Sequence, residues 1–293
     1  MGFGFLAPLT VAALTLLTSI SGGPMDPGPR VPVRTVDVRG AASMVARGAV
    51  VLDARDPAAF ARGHLPGAQA YAWQRMTGTG AQRGRIRADL QSIADAFAVL
   101  GVDGSRPVLV YGAADAGWGE EGHAAWLLAL LGHPDVGVLD GGFHTWRAAG
   151  RPVVTATTVV RPTGWIVRPR EELRASAEHV RVARQVLDVR TAVEFGGATP
   201  FGEARGGHVP GAVHLDWRSV LDENGRVLSA TRLNRALVDV GVDPREEIIA
   251  CCSSGVRSAF VTVALLSRGV TRVRNYDGSM IEWASDPASP VAR

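Results

Sequence analysis

The amino-acid sequence predicts an α/β protein of two tandem domains, each a mainly parallel sheet flanked by helices. Three observations carry this. A set of short motifs occurs twice in the same order, each copy alternates apolar runs with helical periodicity, and 293 residues exceed what one ordinary core covers but suit two. Val51–Arg55 reads VLDAR and Val186–Arg190 reads VLDVR; Gly63–Ala68 reads GHLPGA and Gly207–Ala212 reads GHVPGA; Asp140–Trp146 reads DGGFHTW and Asp277–Trp283 reads DGSMIEW. Each second member follows its first by 135 to 144 residues, as in a duplicated domain. The widest offset comes from an extra Gly- and Pro-rich segment, Phe195–Gly207, which reads as a loop.

Residues 1–24 form the first element. They carry no charge, and Phe3–Ile20 is apolar enough for the h-region of an export signal, with small residues Ser19 and Ser21 before a cleavage point. An uncleaved membrane anchor and a cytoplasmic product starting at Met25 are the alternatives. The first repeat covers 34–152. Residues 153–170, rich in Thr, Val, Arg and Pro without periodicity, read as a linker. The second repeat covers 171–293, where VLDV, AVHL, EIIAC and RVRNY read as strands between the helical stretches TRLNRALVDVG and RSAFVTVALLSRG. Strands separated by helices build a parallel sheet covered on both faces, with functional groups at the carboxyl ends of its strands.

Composition narrows the chemistry. The 46% hydrophobic and 20% charged fractions are those of a globular protein. No lysine occurs, which excludes Schiff-base and P-loop lysine chemistry; the arginines are scattered among Asp and Glu, which argues against nucleic acid as a partner despite the net charge of +3. Arginine suits a small anionic substrate. Of the two cysteines, Cys251 and Cys252, neither can staple the fold, because adjacent residues rarely meet disulfide geometry, and two cysteines without clustered histidines do not make a zinc site. Oligomeric state has no signature here.

The strand Glu247–Cys251 runs into the loop Cys252–Arg257 (CSSGVR) and then a helix. A cysteine there faces successive N–H groups and the positive end of a helix, both of which lower a thiol pKa. Arg257 adds a charge, and Gly255 permits the tight curl of an anion cradle. Such a thiolate can take the outer sulfur of a donor, hold it as a persulfide and pass it to a second nucleophile. Cys251 reads as a packed strand residue, His64 and His208 as structural hydrogen-bonding groups, Asp53 and Asp188 as loop-fixing strand ends, and Trp146 and Trp283 as core anchors. Arg190 either pairs with such an Asp or reaches substrate, and Gly117–His123 (GWGEEGH) either enters a helix or covers the active domain.

GHxPGA, a strand ending at a Cys before a Gly-containing loop, and DGSxxEW together resemble the tandem-domain rhodanese family of thiosulfate and mercaptopyruvate sulfurtransferases, across both copies from about Arg34 to the C-terminus. The resemblance implies two rhodanese-type domains, a Cys252 persulfide, a substrate-binding loop of Ser253, Ser254, Gly255, Val256 and Arg257 aided by Arg190, and no metal or organic cofactor. The partners it implies are a small anionic sulfur donor and a thiophilic acceptor such as cyanide or a thiol. It places Gly112 where Cys252 would stand, so the first domain carries no nucleophile. There are departures. Arg257 replaces a Thr common in the tandem enzymes, Glu194 stands where they usually have a substrate-binding Arg and would repel a dianion, and Gln69–Ala88 lacks the Asp and His that support a serine relay in mercaptopyruvate enzymes. A thiosulfate-like or persulfide donor is therefore favoured. The competing readings are a cysteine phosphatase or arsenate reductase using Cys251 and Arg257, whose spacing fits a phosphatase loop, and a non-enzymatic persulfide carrier or sensor.

Overall fold

The computed structural model describes residues 1–2 and 32–293; the apolar segment read as a signal or anchor lies, beyond Gly2, outside the described residues. Among the described residues no helix is long and apolar enough to cross a membrane.

The first half runs β1 (Val33–Val36), α1 (Val38–Ala46), β2 (Val50–Asp53), α2 (Pro57–Arg62), β3 (Gln69–Ala70), α3 (Leu90–Ala98), β4 (Val108–Tyr111), α4 (Glu120–Leu130), β5 (Val136–Leu139) and α5 (Gly142–Ala148). The second repeats it as β6 (Arg174–Ala175), α6 (Ala177–Val182), β7 (Val186–Asp188), α7 (Ala192–Phe195), β8 (Val213–His214), α8 (Ala230–Asp239), β9 (Ile248–Cys251), α9 (Val256–Ser267), β10 (Val273–Tyr276) and α10 (Ser279–Ser285). Each half forms a parallel five-stranded sheet, ordered β1-β5-β4-β2-β3 and β6-β10-β9-β7-β8. The loop expected from Phe195 begins one residue later, because Phe195 closes α7 and stacks on His208 at 3.8 Å between ring centres.

Most helices start with a side chain that accepts an otherwise orphaned N–H: Asp37 for α1, Asp56 for α2, Asp89 for α3, Ser176 for α6, Thr191 for α7 and Ser229 for α8. The central helices α4 and α9 start instead on Gly119 and Gly255 in left-handed conformation, with no capping side chain. The first-turn N–H groups of α9 therefore remain available to the loop before it. The two helices cross at the centre of the molecule, buried over nearly their whole lengths, and join the halves in one core. Gly122 makes the crossing possible, since a Cβ there would lie 2.3 Å from Cα of Phe260.

The repeated motifs have matching structural tasks. Arg55 forks onto Asp53 and donates to the Gly63 carbonyl, while Arg190 forks onto Asp188 and donates to the Gly207 carbonyl. His64 and His208 each bond through Nδ1 to a backbone carbonyl, of Phe60 and Phe195. Trp146 and Trp283 each donate to a later proline carbonyl, at 2.8 Å. The aspartates of the third motif tie the halves reciprocally: Asp140 accepts the Val227 N–H and Asp277 accepts the Ile86 N–H, both at 2.8 Å.

Candidate active site

The strand β9 ends at Cys251, and the chain turns through Cys252–Gly255 into α9. Gly255 sits at φ +78°, and a Cβ there would lie 2.5 Å from the Asp277 carbonyl oxygen, so both its conformation and its surroundings demand glycine. The curl folds the loop around Cys252 Sγ. The Gly255 N–H donates to the sulfur at 3.1 Å, the Ser258 hydroxyl lies at 3.4 Å, and the Cys252 N–H is held by Ser279 Oγ at 3.0 Å. Burial alone would raise the thiol pKa; the Arg257 charge, with hydrogen bonds from Ser258 and the Ser254 backbone, overcomes this and brings it below the ordinary value. Cys251 is its opposite: fully buried in a separate apolar cluster, with burial and the nearby Asp188 charge pushing its thiol well up.

Glu194 is not the repelling carboxylate its position suggested. It is buried, and Arg257 forks onto its two oxygens at 2.8 and 2.6 Å while donating also to Ser253 Oγ, which bonds Glu194 Oε1 in turn. Burial opposes the charged form, but these bonds and those from Thr191 hold the Glu194 carboxyl down to about 2. The clamp fixes Arg257 beside the sulfur and neutralises much of its long-range field, so Arg257 acts as a short-range partner of the thiolate more than as a free anion-binding cation.

Arg190 must also be corrected as a substrate-binding residue. It is 1% exposed, its guanidinium is committed to Asp188 and the Gly207 carbonyl, and it does not line the pocket above Cys252. That pocket, of about 260 Å³, takes Cys252, Ser253, Ser254, Val256, Arg257 and Phe201 from the second half, and Trp73, Gln74, Arg83, Trp118 and Glu120 from the first. The loop residues named from sequence are brought together, with Gly255 as the backbone turn beneath them. The first-half lining residues carry no signal in the repeated motifs; of the two alternatives for GWGEEGH both hold, with Trp118 in the pocket wall and Glu120 opening α4. Phe201, on the extra loop, and Trp118 stack edge to face, 5.7 Å between ring centres, and the Arg257 guanidinium lies 5.3 Å from the Trp118 ring. The first half also presses on the active loop where a Cβ at Gly84 would lie 2.3 Å from the Ser254 carbonyl oxygen.

Chemically, the arrangement offers a thiol of lowered pKa in a cradle of N–H groups, opening into an aromatic-walled pocket with arginine at its side. Among the described residues no cluster of metal-ligating side chains occurs. The family model of the rhodanese-like domain matches residues 37–149 and 170–286. The chain is 31% identical over 290 residues to the "Putative thiosulfate sulfurtransferase SseA" of Mycobacterium tuberculosis, covering 92% of this chain and 95% of that protein. It is 30% identical to the sulfur carrier protein TtuD of Thermus thermophilus, over 79% of this chain and 86% of the relative. The 3-mercaptopyruvate sulfotransferase SseA of Escherichia coli superposes with a TM-score of 0.75 at 24% identity, covering 84% of this chain and 98% of that one, a likeness of fold.

Proposed function

The chain belongs to the rhodanese family and is a sulfurtransferase, and from that premise we propose that it moves sulfane sulfur from thiosulfate or a related donor to a thiophilic acceptor through a Cys252 persulfide. The observation that carries this is the lowered thiol of Cys252 at the floor of the pocket, bonded by the Gly255 N–H and Ser258. The Cys252 thiolate attacks the outer sulfur of thiosulfate, a new S–S bond forms, and the old one breaks with its electron pair leaving on sulfite. The N–H groups stabilise the sulfur anion before and after the step. Sulfite leaves without needing a proton, whereas the enolate lost from mercaptopyruvate needs one, which favours thiosulfate. The Arg257–Glu194 pair is close to neutral, so the donor's charge falls mainly to the loop N–H groups and to Arg83 at the mouth.

Intact-mass analysis after incubation with thiosulfate, with 3-mercaptopyruvate and with a phosphate ester tests the reading. One added sulfur on Cys252 is expected from thiosulfate and no phosphoryl adduct from the ester; a phosphorylated Cys251 would reverse the assignment. The phosphatase reading requires Cys251 as nucleophile, and that thiol is buried away from the pocket with its pKa raised. The similarity to a sulfur carrier protein favours a second role for the same persulfide, delivery to another protein, which a turnover assay separates from catalysis on small acceptors.

A further inference from the structure

The pocket above Cys252 contains a carboxylate contributed by the half of the chain that lacks a nucleophile. Glu120 opens α4 and lines the pocket with Cys252, Arg257 and Trp118. Its Oε2 accepts the Trp118 N–H at 2.8 Å, which fixes the side chain in the wall. Glu194, the acid bonded to the loop, has both oxygens bonded to Arg257, with Ser253 and Thr191 on them as well. Among the described residues no histidine or tyrosine lines the pocket, so apart from Cys252 the group there suited to exchanging a proton near neutrality is Glu120.

We propose that Glu120 carries the proton of a thiol acceptor during the second half of the transfer, and this deepens the persulfide reading on which it rests. As the acceptor thiol enters, the Glu120 carboxylate takes its proton. The resulting thiolate forms a bond to the outer sulfur of the Cys252 persulfide, and the bond between the two persulfide sulfurs breaks with its electron pair returning to Cys252 Sγ. The outer sulfur arrives as an anion and receives the proton back from Glu120 as it is transferred. Cys252 ends as a thiolate, the acceptor as a protonated persulfide and Glu120 as a carboxylate, so charge and protons balance without another reactant. The Gly255 N–H and the Ser258 hydroxyl receive the returning sulfur charge. Cyanide ion, which has no proton to lose, does not need the first of these proton transfers.

The setting suits a base. Burial raises the Glu120 pKa against the lowering effect of its bonds, which makes the carboxylate a stronger proton acceptor than one in water. The titratable and charged groups around it are Asp56 at the start of α2, Tyr71 after β3, Glu121 on its own helix, Arg83 at the mouth, and Cys252 and Arg257 on the active loop. The Asp56 charge opposes ionisation of Glu120, whereas Glu121, kept neutral by burial, adds no charge against it.

The test loads the full-length protein with thiosulfate, removes the donor, and follows loss of the persulfide by intact mass after mixing with cyanide or with dithiothreitol across a range of pH. Glu120→Gln is expected to lower the ratio of the dithiothreitol rate to the cyanide rate by about a hundred-fold, the lower end of what a positioned base contributes, and to remove the acidic limb of the thiol pH profile. Glu120→Asp is expected to recover part of both. An unchanged ratio and an unchanged pH profile in Glu120→Gln would overturn the inference. Failure of the wild-type protein to take up sulfur at all would instead overturn the persulfide reading beneath it.

Discussion

The two halves place different chemistry at the same point of the same fold. In the second, β9 leads to Cys252, and the second residue of α9 is Arg257. In the first, β4 leads to Gly112, and the second residue of α4 is Glu121. A Cβ at Gly112 would lie 2.1 Å from Glu121 Oε2, so the carboxyl fills the space that a nucleophile's side chain would need. That carboxyl is buried with Oε2 unpartnered, and burial together with the Glu120 charge pushes it up to about 8. One loop thus surrounds a cysteine with a cation and N–H groups that favour its thiolate, and its counterpart holds an acid in its neutral form. A duplicated scaffold can lose its own chemistry and keep a role, because the loops and helix start of the first half, through Trp73, Arg83, Trp118 and Glu120, complete the pocket of the second.

The largest effect expected concerns the nucleophile itself. Cys252→Ser should abolish transfer and persulfide formation, while Cys251→Ser retains most activity; loss of activity in a folded Cys251→Ser protein would reinstate the phosphatase-type site. In the same assay Gly112→Cys should gain no sulfur at position 112, since Glu121 occupies the space. A persulfide there would show that the first half lacks only its cysteine.

Separating the halves comes next. Residues 171–293 alone would expose α9, of which eleven residues are buried in the whole chain, and would lose five of the pocket's lining residues. Exposing side chains of the size of Phe260 costs about 1.5 to 3 kcal/mol each. Such a fragment should be unfolded or aggregated, and inactive, by circular dichroism and cyanide assay. A folded, fully active fragment would remove the first half from the mechanism.

Arg257→Ala should act less severely, lowering kcat/KM for thiosulfate ten-fold to a hundred-fold, equivalent to ~1.5 to 3 kcal/mol, because Cys252 loses the cation held beside it. It should also move the acidic limb of the pH profile upward as the Cys252 thiol loses its cation. Melting temperature should fall as well, because Glu194 is left buried without its partner. A pH profile unmoved by the substitution would mean that the N–H groups alone set the thiol.

The smallest effect expected is on stability. Glu121 has a folded-state pKa of about 8 against an ordinary 4.5. The folded chain therefore holds a proton that the unfolded chain releases, and this group's contribution to stability declines as pH rises from 4.5 through 8. Glu194 works in the other direction: held at about 2, it stabilises the fold above its ordinary 4.5 and loses that contribution as pH falls towards 2. Denaturant titrations between pH 5 and 9 should show Glu121→Gln gaining on the wild type towards alkaline pH. Parallel curves would mean that Glu121 stays charged in the folded protein.

By itself the sequence determined the duplication, the α/β class and the loop that carries Cys252. These are local matters: a strand ending at Cys251, a glycine where the chain must curl, and motifs whose repetition is visible along one dimension. Glu194 was misread and the choice for Arg190 stayed open because sequence shows a charge but not its partner. Asp188 sits two residues from Arg190, but Glu194 and Arg257 meet across 63 residues of chain. The pocket was beyond reach for the same reason. Its walls come from segments as far apart as Trp73 and Arg257, joined because α4 and α9 can cross at Gly122 and because Asp140 and Asp277 each tie one half to the other. Only tertiary packing decides which charges cancel and which face the sulfur, since that depends on burial and on distances of a few ångströms.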